Sequence, residues 1–302
     1  MELVLFLAAT LRISVPYALA ALGAGFSERG GVINIALEGI MLVGALAYVL
    51  GAHATGSPWI GAGCAVSAGI ATAALHALVT VVFRADQITS GLGINLLAAG
   101  LTRFVLKLVF HSSSNSSRVV GFEGFSVPGL SAIPGLGPVF ASPLVLLTLA
   151  LIAAGHWLLF RSVFGLRLRA AGERPESLTT LGLSVAVQRT QGVLVSGALA
   201  GLAGAWLASE QHSFTDGMTS GRGYIALAAM IVGKWSPLGG AAACLLFGAA
   251  EALQITLQGS AFPSELLQML PYLVTMLALA GFIGRAIPPR SVGVPYDPEQ
   301  PS

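Results

Sequence analysis

Residues 188–209 read QRTQGVLVSGALAGLAGAWLAS. After Arg189 the stretch contains no charged side chain, and it is long enough to cross the roughly 30 Å hydrocarbon core of a bilayer as one helix. Gly197, Gly201 and Gly204 recur at helical intervals, which places them on one face. Small residues let membrane helices approach closely. The stretch therefore predicts a transmembrane helix packed inside a helical bundle.

Apolar runs of this kind occupy most of the chain. In chain order they are Leu3–Gly25, Ile40–Ala52, Trp59–Phe83, Ile88–Phe110, Ser142–Phe160, Gln188–Ser209, Tyr224–Val232, Gly240–Leu257 and Leu266–Ile283. The second and seventh runs are shorter than the roughly 17–25 residues of a full span, unless their polar flanks enter the membrane. We predict an all-α polytopic membrane protein with about eight or nine transmembrane helices, some of them short or broken.

The composition supports the same class. The 302 residues are 55% hydrophobic and 9% charged, whereas soluble globular proteins contain about 25% charged residues. The mean hydropathy is +0.83. So few charges cannot cover a water-soluble surface, and the alternating pattern of a membrane β-barrel is absent. We expect a lipid bilayer as partner, and the net charge of +2 gives no indication of nucleic-acid binding.

The arginines predict the orientation. Cytoplasmic loops of membrane proteins carry an excess of Lys and Arg. Segment 161–189 is therefore predicted to be a cytoplasmic loop, which makes loop 111–141 exterior and the carboxy terminus cytoplasmic. We expect one transmembrane domain over residues 1–287 and a disordered, proline-rich cytoplasmic tail over 288–302. Five of the fifteen cations fall in the predicted cytoplasmic loop: Arg161, Arg167, Arg169, Arg174 and Arg189.

Polar residues interrupt the membrane pattern between Ser27 and Gly39. Gly30 and Gly31 allow a break in the helix, and Asn34 and Glu38 share a face if the segment is helical. An ionisable side chain at membrane depth costs about 2.5–3.5 kcal/mol on insertion scales, so it faces protein or a water-filled path. Glu38 can therefore line a path or accept hydrogen bonds from a neighbouring helix.

A second interruption, Gly221-Arg222-Gly223, precedes the short seventh run. In the predicted topology it starts from the opposite side of the membrane to the first. Paired broken helices in two halves are a sign of an inverted repeat around a transport path. Asn and Gln donate and accept hydrogen bonds, which suits the hydroxyls or base edges of a neutral ligand. The polar candidates for lining this path are Asn34, Glu38, Asn95, Glu251 and Gln254.

The cytoplasmic loop contains a polar insert, residues 167–184. Pro175 is typical of the first turn of a short helix and Gly182 of its end. Such a helix, projecting from a membrane bundle, can dock in the groove of a soluble partner. The alternative is an ordinary basic loop that satisfies the positive-inside rule.

Several kinds of site are absent from the sequence. The only lysines are Lys107 and Lys234, and neither ends a phosphate-binding Gly-x-x-x-x-Gly-Lys-Ser/Thr loop. There is no His-Glu-x-x-His, no Cys/His cluster and no Gly-x-Ser-x-Gly. We therefore expect no catalytic residue, no metal site and no cofactor, and any ATP would be hydrolysed by another chain.

Three stretches carry a resemblance to a known family. They are GFSERGGVINIALEGIMLVGA at 25–45, ADQITSGLGINLLAAGLTRF at 85–104, and AAGERPESLTTLGLSV at 170–185, the last followed by the glycine-rich span. Over residues 3–285 the chain resembles a bacterial ABC importer permease of the ribose, nucleoside and branched-chain amino acid group. It is most similar to the short permease of nucleoside or simple-sugar importers. It departs from the family pattern at Arg174, where Asn is usual, and at Ser177-Leu178, where alanines are usual.

The resemblance implies a transport subunit in the bacterial cytoplasmic membrane with several protein partners. These are an ABC ATPase subunit, a second and usually different permease subunit, and an extracytoplasmic substrate-binding protein or lipoprotein. Residues 168–184 would be the coupling helix that contacts the ATPase. Its implied contact residues are Gly172, Glu173, Arg174, Pro175, Glu176, Leu181 and Gly182.

Two other functions remain open from the sequence. A branched-chain amino acid permease would share the family and differ in substrate. A secondary transporter or channel working alone would need more buried carboxylates or histidines for ion coupling, and it would have no use for the basic insert. The expected function is ATP-driven import of nucleosides or simple sugars.

Overall fold

The computed structural model describes residues 2–122, 137, 139–140, 142–258, 264–278, 280 and 286–297. These residues form eleven α-helices and no β-sheet, and a π-helical turn, Leu78–Val82, continues α3. The predicted all-α class is confirmed. The helices are α1 Glu2–Arg29, α2 Leu37–Thr55, α3 Pro58–Ala77, α4 Gln87–Phe110, α5 Pro143–Arg161, α6 Val163–Glu173, α7 Glu176–Thr179, α8 Val185–Gln211, α9 Arg222–Val232, α10 Pro237–Leu257 and α11 Ser264–Leu277.

Seven of the described helices are long and apolar enough to cross a membrane: α1 to α5, α8 and α10. Helix α9 has 11 residues and spans about 16 Å, roughly half of the hydrocarbon core. Helix α11 is described over 14 residues. These nine helices correspond to the nine apolar runs, and the polar insert contains α7 and most of α6. The chain is a multi-pass membrane protein.

Helix α8 forms the centre of the bundle, with α1, α2 and α3 packed around it. Its predicted small-residue face is confirmed, because each glycine touches a neighbouring backbone. A Cβ atom on Gly197 would collide with Gly69, and one on Gly201 with Ala65. A Cβ atom on Gly204 would collide with Met41. Only glycine permits these approaches.

The order of elements occurs twice along the chain. Helices α1 and α8 have 28 and 27 residues, and each is followed by a non-helical segment and another helix, α2 or α9. The next helix then begins at a Ser-Pro pair, Ser57-Pro58 for α3 and Ser236-Pro237 for α10. The first long helix of each set packs on the shorter helices of the other set: α1 packs on α9 and α10, and α8 packs on α2 and α3. The repeated order agrees with the paired broken helices predicted from the sequence, and the inverted orientation of the two halves stays a prediction.

Contacts between loops occur at both ends of the bundle. At one end, Arg29 donates to the Trp235 carbonyl at 3.0 Å, and Arg84 pairs with Asp297 at 2.9 Å. At the other end, the Val119 amide donates to the His212 carbonyl at 2.8 Å. The assignment of the first end to the cytoplasm stays a prediction.

Residues 288–297 of the predicted tail make hydrogen bonds to the rest of the chain. The Ser291 amide donates to the Gly172 carbonyl at 2.8 Å, and Arg189 donates to the Val294 carbonyl at 2.7 Å. The proline-rich composition suggested a solvated end, but this segment finds hydrogen-bond partners in the polar insert and in α8. Residues 298–302, and most of loop 111–141 beyond residue 122, lie outside the described residues.

Candidate functional site

The segment between α1 and α2, residues 30–36, is here called the first break. Side chains of α3 and α4 satisfy its backbone: the Ile33 amide donates to Gln87 Oε1 at 2.7 Å, and His76 Nε2 donates to the Ile33 carbonyl at 2.9 Å. Asn95 Nδ2 donates to the Ile35 carbonyl at 3.0 Å. Lipid offers no hydrogen-bond partner, so a helix can be interrupted at membrane depth only where protein groups supply these bonds.

Asn34 belongs to the same buried structure. Its side chain has no solvent exposure, and its Nδ2 donates to Ser196 Oγ on α8 at 2.9 Å. Asn34 therefore ties the first break to the central helix. Asn95, the other predicted amide of this region, also accepts from the Gly39 amide at 2.8 Å and so holds the start of α2.

The segment between α8 and α9, residues 212–221, is the second break, and Glu38 connects it to the first. The amides of Gly221 and Gly223 donate to the two carboxylate oxygens of Glu38, each at 2.7 Å. A carboxylate at the amino-terminal end of α9 also complements the helix dipole. A Cβ atom on Gly223 would lie 2.6 Å from the Glu38 nitrogen, so glycine is required there. The amino-terminal ends of α2 and α9 thus meet at Glu38.

An ion pair follows the second break. Arg222 Nη2 donates to Glu251 Oε1 on α10 at 2.8 Å, and Tyr17 Oη donates to Glu251 Oε2 at 2.5 Å. The two charged side chains are only 24% and 15% exposed. The sequence candidates included Glu251 but neither Arg222 nor Tyr17. Arg222 could have been predicted from the sequence, because a charged residue at the start of an apolar helix marks a functional position.

Two cavities share this ion pair. Cavity A has a volume of about 290 Å³ and opens among α1, α8, α9 and α10, with Arg12, Pro16, Trp206 and Glu210 in its wall. Cavity B, of about 260 Å³, includes Tyr17, Ser220, Gln254 and Tyr272. Arg222 and Glu251 line both.

The structure thus divides the predicted path residues into two groups. Glu251 and Gln254 line cavities, whereas Asn34, Glu38 and Asn95 make the hydrogen bonds that hold the breaks. Among the described residues, no group of three or more His, Cys, Asp or Glu side chains could hold a metal ion.

The polar insert contains two short helices where one, over 168–184, was expected. Helix α6 ends at Glu173 because Pro175 has no amide hydrogen to continue the helical bonding. The turn of α7 follows, and Gly182 ends it with φ of +71°. A small hydrophobic cluster of Ala171, Leu178 and Val185 fixes the turn to the bundle, and Tyr296 of the tail packs against it.

The insert presents two faces. Gly172 lies against the carbonyl of Arg29, where a Cβ atom would collide, and the Arg290 amide of the tail donates to Glu173 at 3.4 Å. Leu181 projects away from the bundle and is 74% exposed. We call residues 172–182 the insert surface. Its inner side contacts the end of α1 directly, so a displacement of the insert would also displace the start of the first break.

The fold is similar to that of a metal-chelate type ABC transporter solved in an inward-facing conformation. The TM-score is 0.51 with 15% sequence identity, and the match covers 91% of this chain and 84% of the other. At this identity the likeness shows the fold alone.

Two curated relatives are similar over nearly their whole length. The guanosine ABC transporter permease protein NupQ of Bacillus subtilis is 42% identical, with 95% of each chain covered. The nucleoside ABC transporter permease protein NupC of Lactococcus lactis is 39% identical, with 94% of this chain and 93% of the relative covered. The resemblance read from the sequence motifs is confirmed. With a family match over residues 6–279, the chain belongs to the permease components of the branched-chain amino acid transport system family.

Proposed function

We propose that this chain is a permease subunit of an ATP-driven importer whose substrates are nucleosides. The observation that carries the proposal is the similarity over 95% of both chains to a guanosine permease. The family description names branched-chain amino acids, but the full-length relatives given above carry nucleoside names. No bond of the substrate changes in this function.

The charge balance of the two cavities supports an uncharged polar substrate. In cavity A, Arg12 and Arg222 are matched by Glu210 and Glu251, so the lining carries no net charge. A phosphate group would need cations that are not already paired. Hydroxyls and base edges can instead use the remaining donors and acceptors of Gln254, Ser220 and the paired side chains.

A connected set of contacts supports coupling to an ATPase. In the proposed mechanism an ABC ATPase docks on the insert surface, and its closure on ATP moves α6 and α7. Gly172 would pass that movement to Arg29 and the first break, and Glu38 would pass it to Gly221 and Gly223 at the second. A second permease subunit and an extracytoplasmic binding protein complete the importer.

Uptake by cells that express the complete importer tests the substrate. Labelled guanosine, ribose and leucine are supplied separately to cells with and without this chain. We expect guanosine uptake that depends on the chain and is competed by other nucleosides. Uptake of leucine without guanosine would establish the branched-chain amino acid alternative in its place.

Co-purification tests the docking surface. Leu181→Asp places a charge on the most exposed hydrophobic side chain of the insert surface, and we expect the ATPase to be lost from the purified complex while the permease remains in the membrane. Val120→Asp is the matched control, because Val120 is a half-exposed hydrophobic residue at the opposite end of the bundle. Equal ATPase recovery in both variants would show that the partner docks elsewhere.

A further inference from the structure

Cavity A is bounded by two ion pairs from different helices. Arg12 on α1 pairs with Glu210 at the end of α8, through both Nε and Nη2 to Glu210 Oε2. The pair of Arg222 and Glu251 forms the opposite side, and the wall between them is apolar, with Pro16, Trp206 and Leu207. Its volume of about 290 Å³ is near the lower limit of small-molecule sites, about 300 Å³.

The two carboxylates differ in the bonds that they leave open. Both oxygens of Glu251 are used, one by Arg222 and one by Tyr17. Glu210 accepts only at Oε2, and in the described part of the chain its Oε1 has no hydrogen-bond partner. Glu210 is 28% exposed on the side-chain scale, so a small molecule in the cavity can reach it.

The open acceptor suits a ligand with hydroxyl groups. Carboxylates bind the hydroxyls of ribose in nucleotide-binding folds because an ionised oxygen is a strong acceptor. A hydroxyl can donate to Glu210 Oε1 while Arg12 stays bonded to Oε2. A zwitterionic amino acid would bring two further charges into a lining whose own charges are already paired, whereas a hydroxyl brings none.

We propose that Glu210, held by Arg12, binds the ribosyl hydroxyls of the substrate in cavity A before the substrate reaches the Arg222–Glu251 pair. The apolar wall at Pro16 and Trp206 receives the planar base. This inference rests on the proposed nucleoside function and adds a site that distinguishes ribosyl from deoxyribosyl ligands. In this proposal the substrate enters cavity A first, and the Arg222–Glu251 pair lies between cavity A and cavity B.

The test compares two substrates in the reconstituted importer. Binding protein saturated with guanosine or with 2′-deoxyguanosine is added, and the maximal uptake rate is measured for each, so that affinity at the binding protein does not enter. We expect Glu210→Leu to lower the guanosine rate about tenfold, the loss of one hydrogen bond to a charged group. The deoxyguanosine rate should change far less, which brings the ratio of the two rates toward one.

Asp216→Leu is the matched control. Asp216 pairs with Arg103 at 2.7 Å near the same end of the bundle, and neither residue lines cavity A. We expect this variant to keep the wild-type ratio of the two rates.

If Glu210→Leu lowers both rates equally, its role is structural and the inference is wrong. If the Glu210→Leu protein does not insert into the membrane, Arg12→Gln tests the same ion pair through its other member. An unchanged ratio of the guanosine and deoxyguanosine rates in Arg12→Gln also overturns the inference. Wild-type importer that takes up neither nucleoside would refute the proposed function itself.

Discussion

The two breaks occupy equivalent places in the repeat but are held differently. The first break is bonded by side chains of α3 and α4, and Val32, Asn34 and Ala36 within it have no solvent exposure. The second break pairs through its backbone with loop 111–141, where the Ser116 amide donates to the Phe214 carbonyl at 2.9 Å. It leads directly into Arg222 and the two cavities.

The first break is therefore enclosed by protein, whereas the second adjoins the two cavities. Buried polar groups are costly unless they are bonded, so the first break needs dedicated side chains and tolerates little change. The second break uses turns with positive φ at Gly217 and Gly221 and leads into the two cavities. We therefore expect substitutions at the first break to change stability, and substitutions around the second to change transport as well.

The largest effect is expected where the two breaks meet. Gly223→Val forces a side chain against the backbone of Glu38 and separates the starts of α2 and α9. Overpacking of this kind costs about 3 kcal/mol, near the upper part of the usual range. Thermal unfolding of the detergent-purified protein measures the loss. Gly100→Val is the control, since nothing lies within 4 Å of a Cβ atom at that position. Equal unfolding temperatures for the two variants would contradict the contact.

An intermediate effect is expected at Glu38, whose hydrogen bonds link the two breaks. Glu38→Gln replaces one of two acceptors with an amide donor that faces a backbone N–H, at a cost of about 2 kcal/mol. Both the unfolding temperature and the uptake rate should fall, because the link belongs to both breaks. A fall in uptake with no change in unfolding would indicate that Glu38 contacts the substrate instead.

The smallest effect is expected deep in the first break. Ser196→Ala removes the oxygen that accepts from Asn34 Nδ2, which should cost about 1 kcal/mol. Uptake per folded molecule should not change. Ser67→Ala serves as the comparison, because that hydroxyl bonds only the Gly63 carbonyl of its own helix. A specific loss of uptake in Ser196→Ala would show that the first break is also part of the path.

The amino-acid sequence by itself determined the membrane class, the positions of the apolar helices, the glycine face of α8 and the family. These follow from local properties: hydrophobic length, the spacing of small residues and short motifs can each be read within one segment. The short turn that ends at Gly182 was predictable for the same reason, because proline and glycine restrict the backbone where they occur.

Only the tertiary structure decided what the polar membrane residues do. Glu38, Asn34 and Asn95 could be recognised as buried polar groups, but their partners lie on other helices, and Glu38 bonds an amide 183 residues away. The docking of the tail and the pairing of Arg12 with Glu210 are likewise long-range. A buried polar group must find a partner, and whether that partner is protein or substrate depends on which helices the fold brings together.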